Sequence, residues 1–368
     1  MRDAECSIES PPQANASLET LPAEIRRQVL FSLDFAGLRA LYLQDRRSLL
    51  CSCLQKTLGS VMIEACAVHR ADVFCYPNRG GPERPEAVRR FHDTYRARSS
   101  NWSARVLICS KTVTKEEAAS MAAFHSSVII PLSRRFASCA LKDLARQTMA
   151  EYDAPLSRTE EMRIIRALYR FQLCCCLFGR PWEIEEVACI YYWVKAEYDQ
   201  VFHYTDVILV GTVACGLELL HTVLFKSKTH DDLSAPGQRL RGAAGISPAP
   251  EPLRRDFDPL PFRGDEAVDG EDGSPPWAWA YIWKDTYSSL YGEFIPDNFR
   301  RWGYVVWDYD RLARMAAMEV LGQKWREQHG ENWTPEGTRE VQASQKPGLR
   351  GAKNQWVLHL PRQIWLPA

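Results

Sequence analysis

The sequence has no net charge. Lys and Arg number 46 against 46 Asp and Glu, so no overall field draws the chain toward nucleic acid or an anionic membrane. It has no stretch of alternating polar and apolar residues long enough for a strand, and its turns carry helix caps rather than hairpin dipeptides. A sheet-based fold is therefore excluded, and the expected fold class is mostly α. No glycine-rich loop opens a helix, and neither His-Glu-x-x-His nor Gly-x-Ser-x-Gly occurs. No two of the 12 cysteines stand three residues apart, the commonest spacing for zinc ligands. Without a catalytic set, the expectation is a protein that is not an enzyme and that holds no metal and no cofactor.

Apolar runs are equally scarce. The opening residues, MRDAECSIESPPQANAS, contain none that could serve as a secretory signal. The cysteines are accordingly expected to be reduced thiols in a cytoplasmic or nuclear protein. Cys174, Cys175 and Cys176 are adjacent; on a helix they would point ~100° apart, which suits small buried hydrophobes better than a ligand set. The Asn-x-Ser/Thr triplets at Asn15, Asn101 and Asn332 then read as chance matches. The segment Val207–Phe225 approaches the ~20 residues of a membrane span, but Glu218 and His221 lie within it. Leu217, Leu220 and Leu224 continue a helix-spaced face there, so a core helix is expected and no membrane partner.

What is present divides the chain. Residues 1–17 are expected to be disordered, 18–60 to form an N-terminal helical module, and 61–225 to form a helical domain. Residues 226–276 turn to Pro, Gly, Ser and charge and predict a disordered insertion, with Ser247 and Ser274 each followed by proline. Residues 277–329 are a Trp-rich helical segment completing the domain, and 330–368 an irregular tail. Thr114 with Glu117 and Ser157 with Glu160 fit capping boxes, a break is expected near Pro131, and Gly179 ends one helix before Pro181 starts the next. Met162, Ile165, Leu168, Tyr169, Gln172 and Cys176 share one face of the first of these two helices, and Ile184, Val187, Ile190, Tyr191, Val194 and Tyr198 one face of the second. An αα-hairpin is expected there.

Several residues read two ways. Nine of the 12 tryptophans lie at or beyond Trp277. Trp277, Trp279, Trp283, Trp302 and Trp307, with Arg300 and Arg301 beside them, either form a partner-facing aromatic platform or supply bulk to a helical layer. Asp308 and Asp310 read as a helix N-cap followed by a first-turn acid more readily than as a paired-carboxylate site. His69 and His125 sit in apolar helices and read as core residues.

The most telling stretch is LETLPAEIRRQVLFSL, Leu18 to Leu33. Leu21, Ile25, Val29 and Leu33 recur every four residues with Leu18 and Leu30 alongside, giving a one-sided apolar helix. Pro22 stands where a first-turn proline is tolerated, and Glu24 where the helix dipole favours an anion. The pattern resembles the start of an F-box. The blocks LQDRRSLLCSCLQKTLGSVMIEACAVHRA, RIIRALYRFQLCCCLFG, WEIEEVACIYYWVKAEY, GLELLHTVL and FRRWGYVVWDYDRL resemble a large, poorly characterised group of F-box-like proteins of filamentous fungi. Where an F-box has a further helix, RALYLQDRR runs straight through, so the 18–60 module reads as shortened.

The resemblance implies an adaptor role. Leu18, Leu21, Pro22, Ile25, Val29, Leu30 and Leu33 would contact a Skp-type adaptor, which links to a cullin in a ubiquitin ligase. The rest of the chain would receive an unknown substrate protein, with no nucleic acid involved. The alternative is a helical interaction or structural protein that engages no ligase and packs its N-terminal helix internally.

Overall fold

A computed structural model of the chain describes residues 47–74, 84–97, 113–150, 154–178, 185–202, 215–229, 231–244, 277–282 and 295–329. The expected mostly α class holds: the described residues are predominantly helical and contain no strand. In chain order the helices are α1 (Arg47–Leu58), α2 (Met62–Ala71), α3 (Arg84–Ala97), α4 (Lys115–Phe124), α5 (Ile130–Thr148), α6 (Arg158–Phe178) and α7 (Glu185–Phe202). They continue as α8 (215–221), α9 (Ser234–Ala244), α10 (Trp277–Ile282), α11 (Asp297–Arg301), α12 (Tyr309–Arg314) and α13 (Ala317–His329).

α6 is the axis of the molecule. It packs against α2, α5 and α7; α4 packs on α1 and α2; α7 carries α11; and α13 lies against α5, α10 and α12. Ile164, Ile165, Ala167, Leu168, Tyr169, Phe171 and Leu173 are all buried, so α6 is covered on every side rather than along one stripe. Its start is the expected capping box. The Ser157 N–H donates to Glu160 at 2.9 Å, and the Glu160 N–H donates to Ser157 Oγ at 3.1 Å. It ends at Phe178, one residue before Gly179.

The capping box at Thr114 and Glu117 is also present, opening α4. The expected break near Pro131 is a π turn, His125–Ile129, in which the Ile130 N–H reaches back five residues to the His125 carbonyl. Proline lacks an N–H and crowds the preceding turn, and a turn widened by one residue ahead of it accommodates both. α5 then begins with Pro131 in its first turn.

One core cluster takes in Cys51, Leu54 and Leu58 of α1, α6 and α7, and residues as far along as Trp325. It therefore crosses residue 60, the expected end of the N-terminal module, without a seam. In the expected core helix, Leu217, Leu219, Leu220 and Val223 are buried and Glu218 is exposed; positions 207–214 lie outside the described residues. No helix among the described residues is long and apolar enough to cross a membrane.

Two expectations are corrected. The 226–276 insertion is not structureless throughout. A 3₁₀ turn, Asp231–Leu233, leads into α9, with Leu233 packed against the core and Pro236 and Gly237 buried. Pro236 falls in the first turn of α9, where its missing N–H costs nothing. The Asp232 carboxylate accepts from the Lys228 and Thr229 N–H groups and fixes the preceding turn. Residues 245–276 lie outside the described residues. Reduced thiols throughout also fail: Cys176 is disulfide-bonded, whereas Cys51, Cys53, Cys66, Cys139, Cys174, Cys175, Cys189 and Cys215 are free.

Candidate functional site

The polar interior along α6 is the most organised chemistry in the described residues. Arg163, Arg166 and Arg170 follow one another at spacings of three and four, so they line one side of the helix. Each is only 5% exposed. A buried cation must be paired and hydrogen-bonded to persist, and the rest of the fold supplies the partners.

At the N-terminal end of α6, Arg163 Nη1 donates to the Val306 carbonyl at 2.6 Å and Nη2 to Asp308 Oδ1 at 2.8 Å. Ser157 Oγ and Thr159 Oγ1 both donate to the same Asp308 carboxylate. Glu160 is buried beside them. It accepts from Arg311 through Nε and Nη2, each at 2.7 Å, and from the Asp308 N–H at 3.1 Å. Arg311 also donates to the Ala154 and Pro155 carbonyls and lies over the Trp307 ring, 5.7 Å from its centroid. This clasp ties residues 154–163 to 306–311. Burial alone would raise the Asp308 carboxyl, but the Ser157 hydroxyl and then the Arg163 charge outweigh it and hold the group below its usual value.

Deeper along α6, Arg170 Nη1 donates to Glu186 Oε2 at 3.0 Å and Nη2 to Glu64 Oε1 at 3.3 Å. Tyr95 of α3 hydrogen-bonds the same guanidinium, and burial pushes its phenol well up. Arg166 donates to Ser60 Oγ at 2.7 Å. A further pair on α7 follows the same rule. Glu185 accepts from Arg300 at 2.6 and 3.1 Å and from the Tyr304 hydroxyl at 3.2 Å. Glu197 accepts from Arg135, Trp193 and Cys139, and burial, then the adjacent Glu197 charge, raises the Cys139 thiol.

Gln172, the one polar residue on the expected apolar face of α6, has a definite partner. Its Oε1 accepts from the Leu217 N–H at 2.7 Å and so fixes the start of α8. Gly216 adjoins it with φ +69°, and a Cβ there would come within 2.6 Å of Gln172 Oε1, so only glycine fits.

The sequence-derived candidates distribute unevenly. Leu18, Leu21, Pro22, Ile25, Val29, Leu30 and Leu33 lie outside the described residues, as does Trp283. Trp277 and Trp279 fall on α10, without described side chains. Trp302 and Trp307 are core residues, 0% and 1% exposed, so neither can face a partner. Trp307 Nε1 donates to the Trp302 carbonyl at 2.7 Å, which locks the two together. Asp308 does occupy an N-cap position, but its side chain makes no cap hydrogen bond because the clasp uses it instead; Asp310 is an exposed first-turn acid. His125 is buried against Tyr169 and His69 is half-buried.

The chemistry of this arrangement is structural. Carboxylates hold Arg163, Arg170, Arg300 and Arg311 by charge-assisted hydrogen bonds, and the buried Cys189 thiol is held far above its usual value chiefly by desolvation, then by Glu185. No group of three or more His, Cys, Asp or Glu side chains among the described residues could hold a metal ion. Sequence reasoning missed the buried role of Arg163, Arg166, Arg170 and Arg311; the one local signal was the capping-box Glu160, which anchors Arg311. No protein-family model, curated protein or solved structure matches the chain.

Proposed function

We propose that the chain is an F-box-like adaptor, a substrate receptor that joins a Skp-type adaptor and cullin to a protein destined for ubiquitination. The observation that carries this reading is the LETLPAEIRRQVLFSL stretch, whose apolar face needs a partner. A helical body beginning at α1, only 14 residues after Leu33, supports it, because a receptor needs a rigid platform beside its docking helix. The paired arginines of α6 give that body a specified, stiff interior.

A second reading is favoured by one observation. α1 contributes Cys51, Leu54 and Leu58 to the same core as the rest of the body, so the described part of the 18–60 stretch is built into the helical body. In that case the protein is a helical interaction protein without a ligase.

The full-length double variant Leu21→Glu/Ile25→Glu separates the two. Burying each aliphatic side chain is worth about 1.5–3 kcal/mol, so adaptor capture in a pull-down should weaken at least about a hundredfold. Lost capture with an unchanged melting temperature is the receptor outcome. A depressed melting temperature in a chain that never captured the adaptor is the interaction-protein outcome.

A further inference from the structure

His125 is a buried titratable group at the joint between α4 and α5. It opens the π turn between α4 and α5, is 1% exposed, and lies beside Tyr169 of α6, with ring centroids 6.1 Å apart and planes 7° from parallel. His125 Nδ1 and the Tyr169 hydroxyl are hydrogen-bonded at 3.1 Å, and Tyr169 is itself fully enclosed. The turn that carries the imidazole closes one residue wider than an α-helical turn, so it interrupts an otherwise continuous α4–α5 rod. On its far side, α4 covers α1 and α2, and Met121 of α4 accepts a weak contact from the Cys66 thiol of α2 at 4.0 Å.

We infer that the π turn is an acid-sensitive joint, in which charging His125 in its buried site favours an opened turn and lets α4 lift from α1 and α2. Among the described residues, charged and titratable groups face the joint from each neighbouring helix. From α6, Arg158 acts on His125 as a like charge while itself pairing with Glu161 at 2.8 Å. From α2, Cys66 lies near Tyr169 and contributes no positive charge. On α4 the charged residues are Lys115, Glu116 and Glu117 in the first turn, roughly 12 Å or more along the helix. The first charges on α5 are Arg134 and Arg135, a similar distance on and exposed at the surface.

Burial first, and then Arg158, lowers the imidazole to about 4 from an ordinary 6.5. The folded value is depressed, so the unfolded or opened chain binds the proton more readily. Closure is therefore complete above about pH 6.5 and is lost as pH falls toward 4. The opened fraction at the joint should rise by about a hundredfold across that window.

The test is amide hydrogen exchange on the full chain at pH 7, 5.5 and 4, expressed as protection factors corrected for intrinsic exchange. Protection over residues 115–130 should fall about a hundredfold while the buried centre of α6 keeps its protection, and His125→Gln and His125→Phe should both flatten the fall. An equal fall in the variants, or one spread evenly over all helices, overturns the proposal. Should the variants not fold, an NMR titration of His125 in the unaltered chain decides it: a midpoint near 4 is expected, and an ordinary value near 6.5 overturns the proposal.

Discussion

The two ends of the polar stripe on α6 make the same kind of ion pair and finish it differently. In the clasp, both Glu160 oxygens accept from Arg311, one accepts also from the Ser157 N–H and the other from the Asp308 N–H, and Arg311 donates to two carbonyls as well. At the deeper end, Arg170 Nε, Glu64 Oε2 and Glu186 Oε1 are buried without a hydrogen-bond partner. Two carboxylates there share one guanidinium. The clasp is built on a helix terminus, whose unpaired backbone groups complete its bonds. The deeper cluster joins Arg170, midway along α6, to Tyr95 of α3 and to two first-turn glutamates, Glu64 of α2 and Glu186 of α7. Completeness thus follows the number of donors that converge on each carboxylate: among the described residues, four on Glu160 and one each on Glu64 and Glu186.

The sharpest way to break that comparison is to remove the arginines. Arg170→Met strands two buried carboxylates and should cost about 5 kcal/mol, measured by denaturant unfolding. The triple variant Arg170→Met/Glu64→Leu/Glu186→Leu should recover most of that loss, because a buried ionic group replaced whole by apolar side chains is often neutral or better. Arg311→Met strands one carboxylate that keeps two backbone donors, and should cost about 3 kcal/mol. Here the paired change Arg311→Met/Glu160→Leu should recover little, since Glu160 also serves the start of α6 and the Asp308 N–H. Equal recovery at both sites would erase the distinction.

A smaller effect sharpens it. Ser157→Ala deletes the cap of α6 and a hydrogen bond to Asp308, and should cost about 1–2 kcal/mol without altering the response of the Arg170 cluster to its own variants. The smallest effect is one of pH. Asp308 is depressed in the fold, so its contribution is complete above the ordinary carboxyl value of 3.8 and is lost as pH falls through the lower folded value. Asp308→Asn should remove that last acid loss, seen as a flatter stability curve below pH 4. The slope between pH 6.5 and 4, assigned to His125, should stay.

The sequence made the helices legible where their ends carry local chemistry. Ser157 with Glu160, Thr114 with Glu117, and Gly179 all mark boundaries within a few residues of themselves. α9 was hidden because its Leu233, Pro236 and Gly237 sit in a window dominated by charge and small residues. The arginines of α6 were hidden for another reason. Spaced three and four apart, they look like the wet side of an amphipathic helix, and their partners lie far along the chain: Glu64 and Ser60 each stand 106 residues away, and Asp308 stands 145 away from Arg163. Trp302 and Trp307 were ambiguous because aromatic density alone does not say which way a ring points. The ring positions depend on the turn after α11, where Gly303 at φ +66° has Phe136 only 3.0 Å from where a Cβ would stand.

The clasp also sets a timetable. Glu160 and Arg311 are 151 residues apart, and at 5–20 residues per second a ribosome needs roughly 8–30 s to supply the second after the first. Throughout that interval the emerging α6 carries its arginines and its all-round apolar surface without the segment that closes over them. A nascent chain in this condition exposes apolar surface of the kind that favours aggregation. A release of the polypeptide shortly before Arg311 would leave a product that holds most of the helices yet lacks the piece that seals their axis.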